Sequence, residues 1–123
     1  MPLTTLLTCL GIGIISGAIA ALCGVGGGVV MVPAFVFFLA MPQKMAVATS
    51  LAIIIPTALM ATLQNSKSDL VNWKVAAVTA ISASLFAYLG AGWLKSMSNE
   101  TLTRLFGTIL VIFGLRMLLQ GKA

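Results

Sequence analysis

The sequence predicts an all-α, polytopic integral membrane protein with four full transmembrane helices plus a glycine-broken short helix, five segments in all. Three observations lead there. Of the 123 residues 60% are hydrophobic and 7% charged, far from the roughly half apolar and one-quarter charged mixture of soluble domains. The charges stand singly at the ends of apolar stretches of about 20 residues, the length that crosses a hydrocarbon core of roughly 30 Å. A cluster of glycines interrupts one such stretch. A chain this short has too little interior to hide so much apolar surface, so lipid is the consistent solvent. Residues 1–123 read as a single transmembrane domain, multi-pass in the cell (inner) membrane.

The first span runs from Leu3 to Leu22 without a charge. It lacks a basic start and continues straight into Cys23 and the glycines, so a removable leader fits poorly. After Cys23-Gly24-Val25-Gly26-Gly27-Gly28 comes an apolar piece, Val29 to Ala40, too short for a comfortable crossing. Pro33 suits the first turn of a helix starting near Val30, where its missing N–H costs nothing. Pro42 and Lys44 close this piece, and Met45 to Leu63 forms the next span, with the polar pair Thr49-Ser50 and a bend at Pro56. A polar loop follows, in which Trp73 and Lys74 read as interface anchors. Val75 to Leu94 is the next span. Its small residues Ala76, Ala80, Ala83, Ala87, Gly90 and Gly92 favour close helix packing. Ser98 or Asn99 caps the last span, Leu102 to Leu119, in which Gly107 and Gly114 are spaced for packing and Arg116 snorkels.

Composition also narrows function. The net charge of +5 comes from basic residues that never form a run, which argues for interfacial anchoring and against a nucleic-acid partner. With no His in the chain there is no His-based catalysis or His-ligated metal. No nucleophile–base pair or metal cluster stands out, so neither an enzyme nor a cofactor is expected. Cys9 and Cys23 read as small apolar residues in membrane sequence, with no need for a disulfide.

The glycine cluster carries the functional reading. In hydrocarbon, non-helical backbone survives only where it is buried in protein or lines a polar cavity. Glycines accept unusual dihedrals and let amides approach a ligand closely. A helix starting just after them points free N–H groups and its positive dipole end into the break, which makes an anion site without a charged side chain. The plainer alternative is a tight turn or a packing face. Asp69 and Glu100 both lie in loops, so no span holds the carboxylate that cation carriers commonly use. A small anionic solute follows, with Cys23, Gly24, Gly26, Gly27, Gly28, Val29, Pro33, Thr49 and Ser50 as candidate binding residues. The hydroxyls of Thr49 and Ser50 either reach that solute or bond back to the preceding turn. Tyr88 reads as a packing residue, and Arg104 as a snorkelling one.

Gly24-x-Gly26-Gly27-Gly28-x-x-x-Val32-Pro33, then Ala46-Val47-Ala48-Thr49-Ser50-Leu51, Trp73, and Arg104-Leu105-Phe106-Gly107 resemble the TauE/SafE family of sulfite and organosulfonate exporters over nearly the whole chain. Members resemble two homologous halves in one chain, each with such a glycine motif. Here the motif occurs once in about half the expected length, and Asn72 stands where an acid is expected before the Trp. The resemblance therefore implies one half-repeat of a transporter, or a fragment, that pairs with itself or a partner half to complete a pathway. It implies a sulfite-like anion or organosulfonate as the solute, moved by alternating access, with Cys23 able to contact its sulfur. A small dual-topology anion channel and a non-transporting assembly subunit are the competing readings.

Lys44, Lys95 and Arg104 fall on one side of the membrane, and Lys67, Lys74, Arg116 and Lys122 on the other. So even a split gives the positive-inside rule little to read and suits an antiparallel homodimer. A crossing by the glycine-broken segment gives inverted repeats, and a re-entrant one gives parallel repeats; the crossing is preferred.

Overall fold

The computed structural model describes residues 2–24 and 26–121. Val25 of the glycine stretch and Lys122 of the charge split lie outside the described residues. The chain forms five helices: α1 (Leu3–Cys23), α2 (Gly28–Phe38), α3 (Gln43–Ser66), α4 (Trp73–Leu94) and α5 (Asn99–Leu119). The all-helical architecture with one short member is the one the sequence predicts, and no strand occurs among the described residues. Helices α1, α3, α4 and α5 are each long and apolar enough to cross a membrane.

The ends follow from local chemistry. Asn72, at the position where the resemblance leads one to expect an acid, caps α4 by accepting the Val75 N–H at 3.2 Å. Ser98 caps α5 by accepting the Thr101 N–H at 3.1 Å, while Asn99 is already the first helical residue. Ala40 turns left-handed (φ 53°) beyond the end of α2, letting the Met41 N–H close onto Phe35 O at 3.2 Å and reversing the chain towards α3. Helix α2 begins at Gly28, not near Val30, so Pro33 sits inside it rather than in its first turn. There the ring cannot donate to the carbonyl of Val29, and that acceptor loses its usual partner.

Helix α2 runs antiparallel to α1. Its start lies beside Ser16 and Ala20, while Val30, Ala34 and Phe38 line a shallow hollow together with Thr8, Ile12 and Ile15, nearer the start of α1. It thus carries the chain back to the side where α1 begins, as the crossing reading expects. Helix α3 then runs antiparallel to α2, with Gln43 near Pro33 and Val36, and Ser50 and Ile54 beside Gly28. The glycine break therefore lies close to the middle of α3, at mid-depth in the bundle.

The core is the α1–α2–α3 junction. Ile12, Met31, Val32, Phe35 and Ala46 are buried together, with Phe106 of α5 packed on their edge. Two polar contacts join the ends of α3, α4 and α5: the Lys44 N–H donates to Asn99 Oδ1 at 3.1 Å, and Lys44 Nζ donates to Lys95 O at 3.2 Å. Asn99 thereby satisfies a first-turn amide of α3, while the Lys44 ammonium meets the negative end of α4. Asn99→Ala is expected to cost about 1 kcal/mol, read as a lowered thermal midpoint in lipid nanodiscs. An unchanged midpoint would mean the contact contributes nothing.

Candidate functional site

Between α1 and α2 the backbone makes a left-handed passage. Gly24 (φ 70°), Gly26 (φ 71°) and Gly27 (φ 81°) all occupy the region that a side chain disfavours. Gly24 ends α1, with its N–H on Ala20 O at 2.8 Å. Space is a second constraint at Gly27. A Cβ there would stand 2.8 Å from Met31 Cε and 3.2 Å from the backbone oxygen of Ser16. At Gly26 it would press on Ile54 at 3.3–3.4 Å, whereas at Gly24 nothing lies within 4 Å. The close approach of α2 to α1 thus depends on Gly27, and Gly24 is needed for its dihedral alone.

Helix α2 starts on Gly27 with no capping side chain. The Val30 and Met31 N–H groups both donate to Gly27 O, at 3.1 and 2.8 Å. The positive end of α2 thus begins beside Ser50 and Ile54 of α3 with no side chain capping it. The first charged residue of the chain is Lys44, so no carboxylate on α1 or α2 competes with a negative solute.

The hydroxyls around this point face the other way. Ser16 Oγ donates to Ile12 O at 2.6 Å, Ser50 Oγ to Val47 O at 2.8 Å, and Thr57 Oγ1 to Ile53 O at 2.8 Å. For Ser50 this is the back-bonded alternative left open by the sequence. Each proton is committed to its own helix, and only lone pairs remain free. These three hydroxyls therefore do not donate to a solute in this conformation.

The break separates two hollows. One, of ≈ 180 Å³, is lined by Gly24 and Gly26 with Thr57, Thr62 and Asn65. The other, of ≈ 320 Å³, is more apolar and is lined by Gly28, Val29 and Ser50 with Leu105 and Phe106. Of the residues expected from the sequence, Gly24, Gly26, Gly27, Gly28, Val29 and Ser50 are thus gathered around one point. Pro33 lines a different hollow, beside Gln43 and Thr103. Thr49 is half-buried one position away from Ser50, and Cys23 is exposed at the end of α1; neither lines these hollows. Tyr88 is exposed, and Arg104 pairs with Glu100 at 2.7 Å on the surface, away from the break.

Sequence reasoning missed Ser16, which is 1% exposed directly under Gly27. Its signal was the run of small residues Gly13, Ser16, Gly17 and Ala20, whose three- and four-residue spacing marks a helix face for close approach. It also missed Thr62 and Asn65, which stand on the turns of α3 that line the more polar hollow.

Residues 9–123 match the family model described as Sulfite exporter TauE/SafE. The chain is 31% identical over 110 residues to "Probable membrane transporter protein YunE" of Bacillus subtilis (strain 168), covering 89% of this chain and 40% of that protein. It is 33% identical over 102 residues to a "Probable membrane transporter protein" of Xylella fastidiosa (strain Temecula1 / ATCC 700964), covering 81% of this chain and 39% of the relative. A protein of the same description from Haemophilus influenzae is 27% identical over 126 residues, covering 97% and 48%. The chain thus spans less than half the length of these curated relatives. No solved structure matches it.

Proposed function

The chain belongs to the sulfite exporter TauE/SafE family, and from that premise we propose that it works as a cell-membrane transporter for a small anion, sulfite or a related sulfur-containing anion or organosulfonate. The observation that carries the reading is the start of α2 without a side-chain cap on a left-handed glycine passage, with one hollow lined by Gly24 and Gly26 and another by Gly28 and Val29. An anion entering lipid loses its hydration, and oriented amides with a helix dipole replace part of it without a fixed positive charge that would hold the ion too tightly. The two hollows give such a solute a place on either side of the passage. Alternating access then amounts to opening one hollow while the other closes, with the glycines as the element that both share. The descriptions of the family and of the relatives support a transport role. Glu100, expected in a loop, stands instead in the first turn of α5, where Arg104 pairs with it; Asp69 lies in the loop between α3 and α4, so no unpaired carboxylate stands within a described helix, which supports a negative solute.

The test is flux through purified protein in liposomes, run with sulfite, sulfate, thiosulfate, an organosulfonate and chloride. Saturable movement of sulfite or a sulfonate, lost in Gly26→Val, is the expected result. Equal movement of all the anions, or conductance in discrete steps across a planar bilayer, would overturn the reading in favour of a pore. Flux unchanged by Gly26→Val would remove the glycine passage from the pathway.

A further inference from the structure

We propose that the side-chain carboxamide of Gln43 is a second binding point for the anion, at the end of the pathway where α3 begins; the proposal rests on the transport reading above. Gln43 is the first residue of α3 and is 6% exposed. Its carboxamide makes no hydrogen bond among the described residues, yet no side-chain nitrogen or oxygen there is both sealed off and unpartnered. The amide therefore touches open space. The space that Gln43 lines is the hollow of ≈ 200 Å³ between α2, α3 and α5, beside Pro33 and Thr103.

An idle amide inside a membrane bundle is unfavourable, because a polar group withdrawn from water without a partner loses its hydration and gains nothing in return. An apolar side chain of similar length would fill the position without that loss. The other buried polar residues among those described are Ser16 and Ser50, and each has bonded a carbonyl of its own helix. Gln43 differs from both. Its two N–H groups remain free for a partner that comes and goes.

The surroundings suit an anion in that role. Lys44 follows directly, and its ammonium donates to Lys95 O at 3.2 Å, so two lysines mark this end of the bundle. The carboxylate of Glu100 is occupied by Arg104 at 2.7 Å. A basic rim raises the local concentration of anions, and a neutral amide just inside it can receive a charged oxygen without holding it too tightly. The hollow also adjoins the glycine passage: Val32 and Phe106 line both it and the larger hollow that contains Gly28 and Ser50. Helix α3 thus carries Gln43 at its start, Ser50 beside the break, and Thr62 and Asn65 in the hollow beyond.

The test is flux in liposomes over a concentration series of sulfite and of an organosulfonate, with the thermal midpoint of each variant measured in nanodiscs without solute. Gln43→Leu is expected to raise the half-saturating concentration of the anion carried by about tenfold to a hundredfold, the range for one hydrogen bond to a charged group. Its midpoint should be unchanged or higher, since no hydrogen bond within the chain is lost. Gln43→Glu keeps the size but replaces the donors with a carboxylate, and should raise the half-saturating concentration at least as much. Gln64→Leu, at an exposed glutamine near the other end of α3, is the control and should move neither readout. Unmutated protein with no saturable flux of either anion would remove the transport reading, and this proposal with it. Saturable flux with the same half-saturation in Gln43→Leu or Gln43→Glu as in unmutated protein would overturn this proposal alone. A lowered midpoint with unaltered half-saturation in Gln43→Leu would also overturn it, by showing an amide that serves only the fold.

Discussion

Gly27→Ala is expected to abolish solute flux in reconstituted vesicles and to destabilise the folded chain by about 2–4 kcal/mol, the sum of a left-handed alanine and an overpacked contact. Both contributions are fixed by geometry. The dihedral of 81° lies where a side chain is strained, and the added carbon would press on Met31 Cε at 2.8 Å and on the Ser16 carbonyl at 3.2 Å. Met31 is flexible, but it is 1% exposed and has little room to retreat; the carbonyl belongs to α1 and moves only with that helix. Gly24→Ala makes the comparison informative, because Gly24 has a similar dihedral of 70° and open space around it. It should lose only the strain, about 1 kcal/mol, and retain measurable flux. Thermal unfolding in nanodiscs and flux in vesicles give both readouts. Equal effects at the two positions would show that close approach of α2 to α1 is not what Gly27 provides.

Phe35→Ala is expected to cost about 3–5 kcal/mol, the usual range for emptying a buried aromatic site. Phe35 is 5% exposed at the centre of the α1–α2–α3 cluster, and α2 is too short to be held by anything except that packing. Phe37, two positions on, is 82% exposed, and Phe37→Ala should change stability little because lipid takes the place of the ring. The difference between the two variants, measured by chemical or thermal unfolding in the same lipid, reports how far the short helix depends on its neighbours. Similar midpoints for both would mean that α2 is not packed as described.

Most of the architecture was legible because lipid imposes strong rules. Uninterrupted apolar length fixes the four long helices, and Ser98 marks the start of α5 by capping; the cap that Asn72 gives α4 was not read from the sequence. The glycine break was legible for the same reason: Gly24, Gly26 and Gly27 sit where a continuous span would otherwise be expected, and all three are left-handed. What the sequence hid was three-dimensional. Pro33 reads as a first-turn residue because prolines favour that position, yet α2 starts five residues earlier, at Gly28. Ser16 is a lone hydroxyl in a long apolar run, and only the return of α2 against α1 places it under the break. Thr49 and Ser50 are adjacent, and the helical turn between neighbours puts Ser50, rather than Thr49, against Gly28.

The hydroxyl protons of Ser16, Ser50 and Thr57 are all spent on the carbonyls of their own helices. Between Pro2 and Gln43, moreover, there is no Asp, Glu, Lys, Arg or His. If the proposed solute site is formed by peptide amides, it has no acid–base equilibrium of its own near neutrality. On that proposal, a change of flux with acidity across that range belongs to the protonation of the cargo. A weakly acidic anion and a permanently ionised sulfonate should consequently part company as the medium is acidified, with the protein acting as the same passive witness to both.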